Sequence, residues 1–242
     1  MTAQGSLRLS KAILAQADKL FFPPACLACN APTEAASELL CADCRAKLRP
    51  IARNYCPKCG APLDNYRCGP CSETKFEFDI ARAAYVFDGP ARDLLHRFKY
   101  DDFRACAGFF SRALLQLPSA VRWKGHFDLV MAVPLHHVRK RDRGFNQSEL
   151  LARKLAAGLG IPYSRPVFRR YNTPSQTNLS REARTQNLDG AFALRRGADI
   201  AGKRVILVDD VFTTGSTANE ISRLLKANGA ARIAVVTATR VV

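Results

Sequence analysis

The sequence predicts an α/β protein in which a small cysteine-rich domain precedes a parallel sheet with flanking helices. Two observations support this prediction. Eight of the nine cysteines lie between residues 26 and 71, and the rest of the chain alternates short apolar runs with amphipathic segments of about a dozen residues. Short buried strands that alternate with helices of about that length are typical of a doubly wound parallel sheet.

The strands and helices of the α/β part are predicted from local patterns. Short apolar runs flanked by polar residues indicate buried strands, and apolar residues at helical spacing indicate helices. Gly158 and Gly160 are expected to end one helix, because glycine is common where a helix stops. The predicted strands are 80–87, 128–134, 205–210 and 232–239, and the predicted helices are 91–100, 104–117, 146–158 and 218–227.

The chain divides into three predicted regions: an amphipathic N-terminal helix over 1–22, a cysteine-rich domain over 23–75 and an α/β domain over 80–242. Apolar residues recur at helical spacing over 6–22, but charged residues such as Lys11 and Asp18 interrupt them, unlike the core of a signal peptide. No apolar run approaches the ~20 residues that a membrane span needs. The expected location is therefore the cytoplasm, with no membrane span.

Eight cysteines form four Cys-x-x-Cys pairs. Two residues between thiolates let both sulfurs reach one tetrahedral ion, so two pairs complete a closed four-sulfur zinc site. A cytoplasmic location disfavours disulfides, and four copies of the motif argue against a redox function. We expect two structural Zn²⁺ ions, with the pairs combined sequentially (a double zinc ribbon) or as a cross-brace. The predicted ligands are Cys26, Cys29, Cys41, Cys44, Cys56, Cys59, Cys68 and Cys71.

The net charge is concentrated in the second part of the chain. Residues 81–242 hold 27 basic and 13 acidic side chains, a balance of +14, whereas residues 1–80 hold 10 and 8, a balance of +2. A basic α/β domain suits a polyanionic ligand. Nucleic acid is the other anionic partner that charge alone allows, and simple solubility is a third explanation.

The segment 205–217 carries the clearest functional motif. Four apolar residues predict a buried strand, Asp209 and Asp210 follow at its end, and Thr213-Thr214-Gly215-Ser216-Thr217 leads into a helix. Backbone N–H groups and hydroxyls of such a turn can wrap a phosphate at a helix N-terminus. Carboxylates beside a phosphate cradle suit the hydroxyls of a sugar phosphate. The motif resembles the signature for 5-phosphoribosyl-1-pyrophosphate (PRPP) in type I phosphoribosyltransferases; the alternative is an ordinary strand–turn–helix with capping residues.

Two further segments are candidates for ligand binding. The segment 133–147 begins where a buried strand ends, and within it Arg139, Lys140, Arg141 and Arg143 form a basic cluster. In a loop at the carboxyl edge of the sheet, this cluster predicts a pyrophosphate clamp, with a solvated basic turn as the alternative. The segment 173–187 is expected to be a mobile polar loop and a short helix. From it Gln176, Arg184 and Asn187 would close over a bound sugar phosphate, unless the segment is an ordinary surface loop.

Together these motifs resemble the ComF family of bacterial competence-associated proteins over nearly the whole chain. The resemblance is carried by the four cysteine pairs, Arg143-Gly-Phe-Asn-Gln147, the polar loop, the 205–217 motif and a Lys99-Tyr100 pair. It implies an N-terminal zinc module joined to a type I phosphoribosyltransferase domain, with PRPP or a related sugar phosphate as ligand, and Mg²⁺. It also implies a link to uptake or use of external DNA, with single-stranded DNA or proteins of the competence machinery as partners.

The resemblance also assigns expected roles to residues. Asp209 and Asp210 would hold the ribose hydroxyls, Thr213 to Thr217 would anchor the 5′-phosphate, and Mg²⁺ with the basic cluster would stabilise the departing pyrophosphate. The expected catalytic residues are Asp209, Asp210 and Arg143. The expected PRPP-binding residues are Asp209, Asp210, Thr213, Thr214, Gly215, Ser216, Thr217, Leu135, His136, Arg139 and Lys99.

Differences from other type I phosphoribosyltransferases reduce the number of reactions that this chain is expected to catalyse. Relatives that salvage 6-oxopurines carry an acid where this chain has Thr213, and glutamine-dependent relatives need an N-terminal nucleophilic cysteine, whereas the first cysteine here is Cys26. A threonine at this position occurs in orotate-type relatives, which leaves a pyrimidine-like acceptor open. Three functions remain: a phosphoribosyltransferase with an unidentified acceptor, a PRPP-binding protein without turnover, and a DNA- or partner-binding adaptor.

Overall fold

A computed structural model describes residues 24–35, 37–51, 54–63, 67–171 and 189–242, with the side chains of Val121 and Lys140 excepted. The predicted N-terminal helix over 1–22 lies outside these residues. So does the predicted polar loop with Gln176, Arg184 and Asn187.

The main sheet has four parallel strands in the order β1–β6–β5–β2, which confirms the predicted α/β architecture. Its central strands, β5 and β6, are nine residues long and mostly buried, as expected for strands covered on both faces. Val208 of β5 lies beside Ala132 of β2 on one side and Val236 of β6 on the other. The strands are β1 (Ile80–Val86), β2 (Leu129–Ala132), β3 (Val167–Arg169), β4 (Phe192–Leu194), β5 (Arg204–Phe212) and β6 (Arg232–Arg240).

Each of the four predicted helices is present, with shifted ends. Gly158 lies inside its helix, and Gly160, in a left-handed conformation with φ 67°, provides the cap. The turn from Thr213 to Thr217 is here called the phosphate-type turn. Its helix begins at Ser216, two residues before the predicted start at 218. The helices are α1 (Ala42–Ala46), α2 (Gly69–Glu73), α3 (Gly89–Tyr100), α4 (Ala105–Leu115), α5 (Pro118–Val121), α6 (His137–Arg143), α7 (Gln147–Leu159) and α8 (Ser216–Ala227).

Two elements differ from the sequence predictions. The basic segment after β2 was predicted as a loop but forms helix α6, whose first turn is capped because the His136 Nδ1 accepts a hydrogen bond from the Val138 N–H at 3.4 Å. Arginine and lysine are good helix formers, so the charge run is compatible with a helix that ends at left-handed Gly144. The antiparallel pair of β3 and β4 was not predicted, since each strand has three residues.

The sheet carries a hydrophobic core on each face, because successive strand residues point to opposite sides. On one face Ile206 and Val208 pack with α3, α4 and α7. On the other face Val205 and Leu207 pack with α8 and β4. The two faces thus bury alternate residues of the same central strand.

The cysteine-rich region contributes to both cores. Cys26 and Cys44 belong to the core on the α3 face, whereas Cys56 and Cys59 belong to the core on the α8 face. The segment that joins this region to β1 contributes two buried side chains, Phe76 and Phe78, and Phe78 is fully covered. The cysteine-rich region therefore packs against the sheet domain along both of its faces. No helix in the part of the chain that the structure describes is long and apolar enough to cross a membrane.

Candidate functional site

The two carboxylates, Asp209 and Asp210, lie near the end of strand β5, at the carboxyl edge of the sheet. The strand was predicted to end at Asp210, but it continues to Phe212 because Val211 pairs with Thr239 of β6. Both aspartates are thus held by the sheet ladder rather than by a loop. This edge is where open α/β sheets place their ligands.

Asp209 is half-buried and tightly hydrogen-bonded. One of its oxygens accepts hydrogen bonds from the Ser148 hydroxyl at 2.8 Å and from the Asp210 N–H at 2.9 Å. Burial and the adjacent charge of Asp210 nevertheless raise the pKa of Asp209 to about 7. This carboxyl can therefore change its protonation state near neutral pH.

Asp210 is buried and forms an ion pair with Lys99. The Lys99 Nζ lies 3.1 Å from the Asp210 Oδ2, and both side chains are largely covered. Lys99 comes from the last turn of α3, and α3 follows β1 in the chain. The fold therefore brings the predicted Lys99 to the carboxylates, although more than one hundred residues separate them.

The turn from Thr213 to Thr217 surrounds a small cavity of about 30 Å³ at the N-terminus of α8. Asp209 lies on the wall of this cavity, and the Thr214 and Ser216 hydroxyls are 2.8 Å apart. Gly215 has φ 81°, and a Cβ at this position would overlap the Phe212 ring, so only glycine fits. The N–H groups of a twelve-residue helix and the threonine hydroxyls make this turn suitable for a phosphate group.

A larger cavity of about 320 Å³, here called the main cavity, is lined by many of the predicted site residues. Four cationic side chains and two carboxylates lie on its wall, so it carries a net charge of +2. Such a mixture suits a ligand with both hydroxyls and phosphates. The predicted residues on this wall are Lys99, Leu135, Arg139, Arg143, Asp209, Asp210, Thr213 and Thr217, and the wall also includes Asn146, Gln147, Ser148 and Arg169.

His136 has a structural place in this region. Its ring is 5% exposed and caps α6 through Nδ1. Burial, together with the nearby charges of His137 and Arg169, lowers the pKa of His136. A neutral ring can accept the capping hydrogen bond, whereas a protonated ring cannot.

Sequence reasoning missed two residues of the site. Arg169 ends the short strand β3 and reaches the main cavity, and Ser148 in the first turn of α7 donates to Asp209. A serine one residue after the Arg143–Gln147 motif offered a weak signal, because that segment follows β2 at the same sheet edge. Nothing in the local sequence pointed to Arg169.

The eight cysteines form two four-sulfur clusters. Within each cluster the ligand atoms lie within 4.8 Å of one another, and close Sγ–Sγ distances are 3.7, 3.7 and 3.4 Å. A tetrahedral zinc ion with Zn–S bonds of about 2.3 Å requires sulfurs about 3.8 Å apart, so both clusters fit zinc. Pairing is sequential, and the cross-brace alternative is excluded. The first ribbon holds Cys26, Cys29, Cys41 and Cys44, and the second ribbon holds Cys56, Cys59, Cys68 and Cys71.

The first cysteine of each ribbon is prepared for metal binding. Burial opposes ionisation of Cys26, but hydrogen bonds from surrounding backbone N–H groups outweigh it and lower the pKa of this thiol to about 6. The same balance lowers the pKa of Cys56 to about 7, with backbone N–H groups of Cys59 and Lys58 as donors. Zinc binds the thiolate, so these turns favour the ligand form of Cys26 and Cys56, whereas burial and the neighbouring thiols raise the pKa of Cys44 and of Cys71.

The second ribbon is connected directly to the phosphate-type turn. Arg240, at the end of β6, is 3% exposed; its Nη1 donates to the Cys59 carbonyl at 2.7 Å, and its guanidinium lies 4.3 Å from the centre of the Phe212 ring. Phe76 and Phe78 stack at 4.7 Å and both contact Phe212. Since Phe212 packs on Gly215, the ribbon, this aromatic cluster and the turn form one packed unit.

Comparisons with known proteins agree with this architecture. A model of the double zinc ribbon domain matches residues 17–74, and a model of the phosphoribosyl transferase domain matches residues 146–241. Among solved structures, a glutamine PRPP amidotransferase from Bacillus subtilis matches with a TM-score of 0.37 and 29% identity. That match covers 53% of this chain and 25% of the amidotransferase, so the chain spans about a quarter of that protein.

Curated relatives match over most of their length. Competence protein F of Haemophilus influenzae is 34% identical over 231 residues, which cover 89% of this chain and 96% of the relative. DNA utilization protein YhgH of Escherichia coli K12 is 34% identical over 222 residues, with coverage of 89% and 96%. With its double zinc ribbon, its phosphoribosyltransferase domain and these relatives, the chain belongs to the ComF family.

Proposed function

We propose that the main cavity binds PRPP together with Mg²⁺. The observation that carries this proposal is that the small cavity of the phosphate-type turn and the main cavity, with its two carboxylates and four cations, share Asp209, Thr213 and Thr217. The turn from Thr213 to Thr217 takes the 5′-phosphate, Asp209 and Asp210 accept hydrogen bonds from the ribose hydroxyls, and Arg139 and Arg143 bind the pyrophosphate. Mg²⁺, which prefers carboxylate and phosphate oxygens, would neutralise charge on the pyrophosphate.

The same wall supports transfer of phosphoribose to an acceptor. An acceptor atom with a lone pair would form a bond to C1 of the ribose while the bond from C1 to the pyrophosphate oxygen breaks, and the oxygen keeps the electron pair. Positive charge then develops on the ring and negative charge on the leaving group. In this proposal the two carboxylates stabilise the ring, and the cations stabilise the pyrophosphate.

We also propose that each chain holds two zinc ions with a structural role, because both clusters are closed four-thiolate sites without an open coordination position. The relatives' names associate them with competence and with utilization of DNA. On that basis the protein would act in the uptake or use of external DNA. Phosphoribosyl transfer is the first candidate for that activity, and PRPP binding without turnover is the main alternative.

The direct experiment is titration of PRPP into the zinc-loaded chain by calorimetry, with and without Mg²⁺, beside an assay of pyrophosphate release. Candidate acceptors would include pyrimidine and purine bases. Binding with release supports the transferase, and binding without release supports the non-catalytic alternative. Absence of both would contradict PRPP binding and favour the adaptor function.

Substitution of the carboxylates tests the sugar subsite. Asp209→Asn and Asp210→Asn should each weaken PRPP binding about 10- to 100-fold, as expected for loss of a hydrogen bond to a charged group. Asp199→Asn, which removes an exposed carboxylate, is the matched control. If both site variants bind PRPP as the parent does, the motif is only structural in this protein.

The pH dependence tests Asp209 separately. With a folded-state pKa of about 7, this carboxyl is increasingly protonated below that value, and PRPP must displace the proton if the ionised form accepts from ribose. Affinity should therefore fall as the pH drops from 8 to 6, more steeply in the parent than in Asp209→Asn. The apo protein should show the opposite trend, since a raised pKa means that unfolding becomes easier as pH rises from about 4 to 7.

A substitution at Arg143 tests whether helix α6 binds a small phosphate ligand or DNA. Its side chain lies on the main cavity and above the Tyr100 ring at 5.1 Å, whereas Arg141 on the same helix is exposed. Arg143→Ala should weaken PRPP and pyrophosphate binding far more than binding of single-stranded DNA, and Arg141→Ala should leave PRPP binding unchanged. Unchanged PRPP affinity with lost DNA affinity in Arg143→Ala would assign this helix to DNA instead.

A further inference from the structure

A second cavity of about 280 Å³, here called the side cavity, adjoins the main cavity. The two cavities share Pro134, Leu135, Asn146 and Arg169, so the turn of Pro134 and Leu135 lies between them. The far wall of the side cavity comes from β3 and from the segments beside β3 and β4. Its size is near the lower end of small-molecule pockets, which begin at about 300 Å³.

The side cavity is cationic. Arg165, Arg169 and Arg195 lie on its wall, against the one carboxylate of Glu149, which leaves a net charge of +2 among these groups. Glu149 is also paired with Arg153 at 2.9 Å and with Arg165 at 3.6 Å. Three guanidinium groups around one small space select an anion with several oxygens, because each presents a planar fork of donors.

Apart from His137 and Asn146, the remainder of the wall is apolar and aromatic. Phe168 and Tyr163 are half-buried at the side cavity, and the guanidinium of Arg195 lies 5.6 Å from the centre of the Phe168 ring. Stacking of this kind holds an arginine in place and reduces the entropy lost when it binds an anion. Arg169 is partly buried, whereas Arg165 and Arg195 are exposed at the rim of the cavity. A partly apolar wall with guanidinium groups at its rim suits a small planar molecule with a phosphate.

We propose that the side cavity is a second ligand site, for a nucleoside monophosphate. This inference rests on the proposed function only in its account of the neighbouring PRPP. The ligand is not the acceptor of the transfer, because displacement at C1 requires an acceptor opposite the pyrophosphate. Leu135 lies on both walls, and Arg139 and Arg143, which the proposed function assigns to the pyrophosphate, follow it on the wall of the main cavity.

The two sites are connected by shared side chains. Arg169 lies on both walls, and Asn146 does too. Asn146 accepts from the N–H of Ser148 at 3.1 Å, and Ser148 donates to Asp209. An anion in the side cavity competes for Arg169 and repels the pyrophosphate through a short distance of protein. Occupation of one site therefore weakens the other, and the effect is reciprocal.

The test is calorimetric titration of AMP and UMP into the zinc-loaded chain, with variants that separate the two cavities. Since a mononucleotide also resembles ribose 5-phosphate in the main cavity, the parent should bind two molecules per chain. Arg195→Met should lose one of them, with affinity reduced about 10- to 100-fold. Arg196→Met, which changes the next arginine in sequence, equally exposed but not on the wall of the side cavity, should behave as the parent.

The combined variant Asp209→Asn, Asp210→Asn should still bind the mononucleotide that depends on Arg195. In the parent, saturating PRPP should lower the affinity of that mononucleotide about 5-fold or more. The proposal is overturned if Arg195→Met binds mononucleotide as the parent does, or if the aspartate variant loses all binding. Inorganic phosphate that binds as tightly as AMP would also overturn it. If PRPP fails to bind but the Arg195-dependent molecule persists, the side site stands and the proposed function of the main cavity fails.

Discussion

The two zinc ribbons have the same ligand chemistry but different relations to the candidate site. The first ribbon packs on the α3 face, where a cavity of about 660 Å³ lies beside Leu27 and Ala28. Its polar link to α3 is formed by Arg97, which donates to the Leu27 carbonyl and the Asn30 side chain at 3.4 Å each. The second ribbon is joined through the buried Arg240 and its hydrogen bond of 2.7 Å.

Two ribbons with the same ligands can therefore have different connections to a candidate site in one protein. The first ribbon supports the outer side of α3, which carries Lys99 at its end. The second ribbon supports Phe212 and, through it, Gly215 in the phosphate-type turn. Damage to the second ribbon should therefore reach ligand binding, whereas damage to the first should remain local.

The largest contrast is expected when each ribbon loses one ligand. Cys41 and Cys71 are both half-buried, so Cys41→Ser and Cys71→Ser are matched changes, and each should reduce zinc content by about one ion per chain. PRPP affinity should fall at least ~30-fold, or about 2 kcal/mol, in Cys71→Ser alone. Elemental analysis and PRPP titration measure the two effects. Equal losses of affinity in both variants would show that the ribbons are equivalent.

The next effect concerns the turn itself. Gly215 and Gly229 have φ 81° and 83°, so alanine introduces similar backbone strain at either position, roughly 1–2 kcal/mol. At Gly215 the added Cβ also meets Phe212, whereas at Gly229 it makes ordinary contacts with Ala201. We expect both variants to lose thermal stability but only Gly215→Ala to lose PRPP affinity, by about 10-fold. A comparable loss in Gly229→Ala would mean that general destabilisation, not the turn, controls binding.

A smaller effect is expected for Arg240→Met. The substitution keeps an apolar stem but leaves the Cys59 carbonyl without its charged donor, which should lower the free energy of unfolding by roughly 1.5–3 kcal/mol. Because Arg240 lies on neither cavity and reaches the turn through Phe212, PRPP affinity should fall less than in Gly215→Ala. Arg232→Met changes an exposed residue of the same strand and is the control. Denaturant unfolding and PRPP titration measure the two effects. Equal stability and equal PRPP affinity in Arg240→Met and Arg232→Met would contradict a role for Arg240.

The smallest effect is expected for Arg97→Met, which removes the polar link of the first ribbon. Its hydrogen bonds are long and partly exposed, so the change in stability should stay below ~1 kcal/mol. PRPP affinity should change by less than about threefold. A larger loss of affinity would indicate that the first ribbon also positions Lys99, and the comparison between the ribbons would then fail.

The sequence was informative where one segment contains all the parts of a structure. The strand before Asp209, the turn around Gly215 and the cysteine pairs are each contiguous, and the structure has them where they were predicted. Tertiary pairing decided the rest. Strand β5 continues past Asp210 because β6 provides partners, and the contribution of Arg169 depends on a three-residue strand whose partner is more than twenty residues away.

The order of the strands has a consequence for how the protein folds. β6 comes last among the described strands, yet it lies between β1 and β5, and its Arg240 bonds to a residue 181 positions earlier in the chain. Contacts of such long sequence separation form late, because a large loop must close before they stabilise anything. During synthesis, β1 and β5 would emerge without the strand that joins them. The edges of both strands would stay open to other chains until β6 arrives.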